Sequence, residues 1–325
     1  MELSYVAESW PIRGKFAISR GEKTEAQVIV ATVRDGAHQG RGECVPYSRY
    51  GESLESVQDQ IASVKSEVEN GFGQEKLQKL LPAGAARNAL DCALWDLEAK
   101  RSGKTIWELV GIQTPQLKPT AYTISLDTPE KMAESAAEAA KAFSLLKIKI
   151  GTDDGGRLAA VRNAAPQARL IVDANEGWNE SNLEANVRLC ESIGVELIEQ
   201  PVPAEHSNIL KNVRTSILLC ADESAHTSDD IQKVAETYGA VNVKLDKAGG
   251  LTEALKMIEK ATEARLAIMV GCHVATSLSM APATVLAQFA DHVDLDGPLL
   301  LERDRDPSIT YHEGAILPTT SALWG

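Results

Sequence analysis

Leu145-Leu-Lys147-Ile-Lys149-Ile150 is an aliphatic run broken only by two lysines two positions apart. Alternate residues of a β-strand point to opposite faces, so both ammonium groups would share one face. Leucines and isoleucines occupy both faces around them, as in a parallel strand covered by helices. Comparable short apolar runs recur along the chain at 120–124, 170–173, 196–199, 217–221, 241–245, 267–270 and 292–295, separated by Ala- and Glu-rich stretches of helical character. Together they make eight strands alternating with helices, the pattern of an α/β protein with a closed (β/α)8-type barrel. A doubly wound open sheet is the competitor, but no G-x-G-x-x-G motif opens any of the helices.

The ends of these strands carry the chemistry. Lys149, Asp173, Glu199, Asp222, Lys244, Cys272 and Asp294 stand 24, 26, 23, 22, 28 and 22 residues apart, and six of the seven are charged. Barrel enzymes build their sites at the C-terminal ends of the strands. Asp173, Glu199 and Asp222 fall on strands three, four and five, and three converging carboxylates need a cation between them. Hard oxygen donors without His or Cys favour Mg²⁺, or Mn²⁺, over zinc. Helix capping is the alternative use of Asp173 and Asp222, but it leaves three acids in register unexplained. Lys149 on strand two and Lys244 on strand six face each other across the ring. Two bases on opposite faces of one carbon are what inversion by proton removal and return requires, and a divalent ion stabilises the enolate of a substrate carboxylate. Desolvation and nearby positive charge would lower the pKa of such lysines. Lys147 shares the interior face and is placed to bind the substrate carboxylate. Asp294 and Asp296, also two apart, form a pair suited to a substrate ammonium group. His273 either lines the pocket or serves a structural role.

The first ~115 residues differ in texture. A β-branched run at 27–33, followed by Asp35-Gly36 and Gly40-Arg41-Gly42-Glu43, predicts a short antiparallel sheet. Helices follow at 53–69 and 85–101, the second with an apolar stripe through Ala86, Ala89, Leu90, Ala93, Leu94 and Leu97. The division is therefore an α+β domain at 1–115, joined by the C-terminal segment 299–325, and a barrel at 116–298. With 33 Lys and Arg against 46 Asp and Glu, the net charge is −13. That disfavours nucleic acid and anionic membranes as partners. Five scattered cysteines without a C-x-x-C pair argue against a disulfide framework or a thiolate zinc site. No signal-peptide or membrane-spanning run is present, so a cytoplasmic setting is expected. H-E-x-x-H, G-x-S-x-G and Walker motifs are also absent.

Lys147-Ile-Lys149, Asp173-Ala-Asn175, Glu199-Gln-Pro201, Asp222-Glu-Ser224 and Val243-Lys244 through Gly249-Gly250 together resemble, in order, the muconate-lactonising-enzyme-like subgroup of the enolase superfamily. Ala86-Arg87-Asn88-Ala89-Leu90-Asp91 through Trp95-Asp96 is similar to the subgroup's capping-domain helix. Sites of that superfamily combine a Lys or His base with Mg²⁺. The resemblance implies a capping domain and a metal-assisted isomerase acting beside a carboxylate. Asp294-x-Asp296 resembles the dipeptide epimerases, in which the pair binds the dipeptide's α-ammonium. Arg20 falls where the L-Ala-D/L-Glu epimerases carry an arginine for the glutamate side chain, a role suited to a bidentate guanidinium. The loop at 47–52 would close over the pocket by the same resemblance.

The expected reaction is epimerisation of a small dipeptide, L-Ala-D/L-Glu, by two-base 1,1-proton transfer. Asp173, Glu199 and Asp222 would bind metal and Lys149 and Lys244 would move the proton. Arg20, Lys147, Asp294 and Asp296 would bind substrate. Peptidoglycan recycling is the implied setting and a homo-oligomer the implied assembly. A cycloisomerase, an o-succinylbenzoate synthase, an N-acylamino acid racemase and an epimerase of non-acidic dipeptides are the alternatives. The first two have no use for the acidic pair, and a blocked amine would gain nothing from it. A non-catalytic binding barrel is a further alternative, but such a descendant would be expected to lack a ligand or a lysine.

Overall fold

The computed structural model describes residues 1–71, 73–151 and 154–325. Three antiparallel strands open the chain: β1 (Glu2–Ile18), β2 (Gly21–Asp35) and β3 (His38–Cys44). The run expected at 27–33 is thus the middle of a longer strand. β1 and β2 pair from Glu2↔Arg34 to Ile18↔Gly21, with a register break between Pro11 and Phe16. Proline has no N–H for the ladder, and Gly14 within the break takes φ 75°. Beyond it the hairpin reaches the barrel, where Ala17 O accepts from Leu126 N at 3.1 Å. Ser19 and Arg20 form its tip.

Helices α1 (Leu54–Ser63), α2 (Lys65–Glu69), α3 (Gln74–Leu80) and α4 (Ala85–Ser102) follow. The helix expected over 53–69 is broken at Val64, just after Ser63 Oγ bonds back to Gln60 O at 2.7 Å, a competitor of the helical ladder. α4 is rich in alanine and buried nearly all round. It lies so close to β3 that a Cβ on Gly40 would sit 2.0 Å from Ala93 O, and one on Gly42 2.1 Å from Ala89 O.

Barrel strands one to eight are Tyr122–Ile124, Leu145–Lys149, Arg169–Asp173, Val195–Glu199, Leu218–Ala221, Ala240–Val243, Ala267–Gly271 and His292–Asp294, all parallel and bonded in that order. Ala121 N donates to Val293 O at 2.8 Å, and Leu295 N to Thr120 Oγ1 at 2.9 Å, drawing strand eight onto strand one. Ala121, Leu145, Ile171, Leu197, Cys220, Ala240 and Met269 pack together. Two residues along each strand stand Thr123, Lys147, Asp173, Glu199, Asp222, Asn242 and Gly271. The interior therefore passes from an apolar floor to a polar mouth.

The crossovers are less regular than the sequence suggests. After Pro201-Val-Pro203 the fourth is a 3-10 segment, Ala204–Asn212, and the fifth contains only the short helix Ile231–Ala235. Strand six ends at Val243, so the run expected over 241–245 turns at Lys244 into the one-turn helix Leu245–Ala248. Gly249 and Gly250, at φ 77° and 113°, stop that turn. At the other end of the chain, Tyr311–His312 and Ala315–Ile316 form a small sheet with Lys118–Pro119. Trp324 Nε1 then donates to Cys92 O in α4 at 3.1 Å. Among the described residues, no helix is long and apolar enough to cross a membrane.

Candidate active site

The inward faces of strands two to five place Lys149, Asp173 and Glu199 side by side in one register, followed by Asp222 just past strand five. Lys147 Nζ lies 2.7 Å from Glu199 Oε2, 2.7 Å from Asp294 Oδ2 and 3.3 Å from Asp173 Oδ2. Lys149 Nζ donates to Asp173 Oδ2 at 2.5 Å. Lys244 Nζ donates to Asp222 Oδ2 at 2.7 Å and stands 3.5 Å from Glu199 Oε1. Strands two and six thus send their lysines into one ring of carboxylates. On strand eight, Asp294 meets Lys147, while Asp296 Oδ2 accepts from Thr123 N at 2.6 Å.

Four further residues complete the cluster, and sequence reasoning missed them. Asn242, two residues before Lys244, donates to Glu199 Oε1 at 2.7 Å. A buried amide in an apolar strand, sharing parity with Lys244, was the available signal. Lys247 Nζ reaches Asp222 Oδ1 at 2.6 Å and the Asp222 carbonyl at 2.5 Å. Gln200 is fully buried at φ 33°. Its Oε1 accepts from Asp222 N at 2.9 Å, which ties the end of strand four to the end of strand five. Glu223 follows Asp222 and turns toward Arg20.

The hairpin tip and the 47–52 loop both rest on the barrel mouth. Arg20 Nη2 donates to Glu223 Oε1 at 2.8 Å and to Tyr47 Oη at 3.2 Å. Its Nη1 donates to Asn175 O at 2.7 Å and to Glu176 Oε2 at 3.2 Å. Arg49 clasps Glu176 through two 2.8 Å bonds. Asn175 and Glu176 hold φ 44° and 65°, strain of the kind that gathers at functional sites. Tyr47 stacks on His273 with ring centroids 4.5 Å apart. Beneath these elements is a cavity of roughly 360 Å³, lined among others by Phe16, Arg20, Tyr50, Lys147, Lys149, Lys244, Asp294 and Asp296. Asn175 Oδ1, Glu223 Oε2 and Asp294 Oδ1 are buried and accept no hydrogen bond from the described residues. Residues that line the cavity thus keep unused acceptors.

The charges bear on each other strongly. Burial opposes ionisation of Asp173, but Lys149 and Lys147 outweigh it and pull the carboxyl below its ordinary range. Lys244 and Lys247 do the same for Asp222. Burial, and then Asp173, push Glu199 up. Burial and the neighbouring Asp222 push Glu223 up to about 7; burial and Asp294 take Asp296 to about 7. Burial pulls Lys147 and Lys244 down, yet the surrounding carboxylates hold both well above the usual lysine value. For Lys244 this runs opposite to the lowering expected of the proton-moving lysines, because here it pairs directly with the acids.

Among the described residues, no three acidic, imidazole or thiol groups converge closely enough to hold a metal as the side chains stand. Instead Lys147 bridges Asp173 and Glu199, and Lys244 bridges Glu199 and Asp222. The cluster satisfies itself with cations between each neighbouring pair of carboxylates. An all-oxygen donor set buried on adjacent strands, with cationic bridges already between its members, fits a hard divalent ion.

Residues 1–111 match the mandelate racemase/muconate lactonizing enzyme N-terminal domain family, and residues 131–322 match the enolase C-terminal domain-like family. The chain belongs to this two-part family of enolase-like proteins. It is 43% identical over 311 residues to the L-Ala-D/L-Glu epimerase of Escherichia coli (strain K12), covering 95% of this chain and 97% of that one. It is 44% identical over 301 residues to an N-acetyl-D-glutamate racemase of Pseudoalteromonas sp, covering 92% and 95%. Among crystal structures, an enolase family member from Agrobacterium tumefaciens with homology to dipeptide epimerases, with bound sodium and L-Ala-L-Glu and an ordered loop, gives a TM-score of 0.98. Sequence identity there is 50%, over 99% of each chain.

Proposed function

We propose that the chain epimerises dipeptides of the L-Ala-D/L-Glu type at the carbon α to the carboxylate, by Mg²⁺-assisted two-base 1,1-proton transfer. The observation that carries this reading is the entry of Lys149 and Lys244 into one cavity from strands two and six, with the carboxylates of strands three to five between them. Asp173, Glu199 and Asp222 would hold the Mg²⁺, or Mn²⁺, which when bound supplies Lewis-acid stabilisation of the substrate enolate. Lys149 takes the α-proton on one face and Lys244 returns one on the other, the roles reversing with the epimer. Lys147 offsets the developing charge on the substrate carboxylate. Asp294 and Asp296 receive the dipeptide's ammonium group. Arg20 takes the side-chain carboxylate, a charge-assisted contact that its present partner Glu223 already mimics. The hairpin tip and the 47–52 loop exclude water over the reaction.

The N-acetyl-D-glutamate racemase relative supports a second reading, racemisation of an N-acylated glutamate. Arg20 would serve both substrates, but an acylated nitrogen carries no charge and gives Asp294 and Asp296 no ammonium to bind. We further assign 1–115 with 299–325 as a capping domain over the barrel at 116–298. The setting we propose is peptidoglycan turnover in a bacterial cytoplasm, with the chain acting as a homo-oligomer.

Proton NMR in D₂O with Mg²⁺ tests the reaction. The glutamate α-signal of L-Ala-L-Glu should disappear as L-Ala-D-Glu forms, and EDTA should stop the change. Exchange on N-acetylglutamate but not on the dipeptide would overturn the dipeptide assignment in favour of the second reading. Exchange on neither would overturn both.

A further inference from the structure

The two proton-moving lysines are held in different ways. Lys149 closes a strand and is paired in the ladder with Asp173. Lys244 has already left its ladder, since strand six ends one residue earlier and Lys244 opens the turn Leu245–Ala248. On the barrel side it is tied by Lys247, whose Nζ donates to Asp222 Oδ1 at 2.6 Å and to Asn242 O at 3.1 Å.

The turn is also held from α4. Arg87, only 6% exposed, donates to Ala248 O at 2.7 Å and to Gly249 O at 3.1 Å. The same guanidinium reaches Leu81 O at 3.3 Å, so one side chain spans the N-terminal layer and the barrel turn. Asn88 is fully buried; its Nδ2 donates to Asp246 Oδ1 at 2.7 Å, and its Oδ1 accepts from Cys92 Sγ at 3.2 Å. Asp246 lies two residues after Lys244. Its Oδ1 also accepts from Val45 N at 3.0 Å, and its Oδ2 faces His273 Nδ1 at 3.1 Å. A carboxylate can only accept, so Nδ1 carries the proton. Farther on, Thr252 N donates to Asp91 Oδ2 at 2.9 Å. A Cβ on Gly249 or Gly250 would fall 2.5 Å from Arg87 Nε or 2.4 Å from Asp91 Cβ, so helix and turn meet without room for a side chain.

We infer that Arg87 and Asn88 of α4, acting through Asp246 and the Ala248–Gly249 carbonyls, are positioning residues for Lys244, so that the proton-transfer face of Lys244 depends on α4 while that of Lys149, set within its strand, does not. Neither Arg87 nor Asn88 lines the cavity, so they act on the substrate through the groups they hold, above all the backbone that carries Lys244. The inference rests on the two-base reading above. His273 does both things expected of it as alternatives: it lines the cavity and, stacked on Tyr47, faces Asp246.

The test follows α-proton exchange from each dipeptide epimer separately, in D₂O, on the Mg²⁺-loaded full chain. Lys244→Ala first identifies the epimer whose exchange needs Lys244; if both epimers still exchange and interconvert, the two-base reading itself fails. Asn88→Ala and Arg87→Met should then slow exchange of that epimer by about a hundredfold, the cost of misplacing a catalytic group by an ångström. The other epimer should keep exchanging at the wild-type rate without inverting. Arg87→Met keeps the length of the side chain and leaves the Asn88–Asp246 contact in place, so it carries the test if Asn88→Ala does not fold. Equal slowing of both epimers, or no slowing of either, overturns the inference.

Discussion

Asp296 offers a quantitative check on the charge arrangement of the cavity. Its carboxyl is 2% exposed and pushed by burial, and by Asp294 beside it, from 3.8 to about 7. In the unfolded chain the proton leaves near pH 4. In the folded chain it stays until about pH 7, so the folded state binds more protons over that window. Stability from this group is complete below pH 4 and is lost as pH rises to 7, at about 1.4 kcal/mol per unit, or roughly 4 kcal/mol in all. Asp296→Asn cannot ionise and escapes the loss. Its amide oxygen can still accept from Thr123 N, and its NH₂ supplies a donor near Asp294, whose Oδ1 has no hydrogen-bond partner. Urea unfolding of the wild type and the variant at pH 5 and pH 8 should therefore diverge, the variant gaining about 3 kcal/mol on the wild type between the two. Parallel stability profiles would refute the reasoning, showing Asp296 ionised throughout. The same variant should raise KM for a free dipeptide while leaving affinity for an N-acylated one unchanged, which separates the stability cost of the buried acid from its use.

Lys149→Ala and Lys244→Ala should each lower epimerisation by about a hundredfold or more, with each variant keeping exchange on the face it has not lost, as read by deuterium incorporation. Arg20→Met should lower kcat/KM for L-Ala-L-Glu by about ten- to a hundredfold, the worth of a hydrogen bond to a charged group, with little effect on an aliphatic dipeptide; comparable losses on both would remove Arg20 from side-chain recognition. Gly42→Ala should destabilise the fold by about 1–3 kcal/mol or more, because the new methyl meets the backbone atoms Ala89 O at 2.1 Å and Ala93 N at 2.8 Å. A thermal melt matching the wild type would show that α4 can move off β3.

What could be read from the sequence shares one physical property, namely local periodicity. A strand with a two-residue repeat sorts its side chains without help from the rest of the chain, so Lys147, Lys149, Asp173, Glu199, Asp294 and Asp296 could be assigned to the interior before any coordinates. The eight strands themselves followed from the same pattern of apolar runs. What could not be read depends on partners remote in sequence. Asn88 meets Asp246 across 158 residues, and Arg20 meets Glu223 across 203. The break of strand six at Val243 belongs to this second kind. Val-Asn-Val-Lys-Leu has the composition of an unbroken strand, and the carbonyl caps from Arg87, the Lys247 bonds to Asp222 and Asn242 and the positive-φ glycines beyond make the turn the better solution. The crossover after strand four is intermediate. Its two prolines lie in plain view, but whether they merely delay a helix or replace it with a 3-10 segment is decided by what packs there. Local pattern thus specified which groups enter the mouth. The orientation of Lys244 came from contacts between the N-terminal layer and the barrel, which is why perturbing α4 is a sharper test of that proton-transfer face than perturbing the lining.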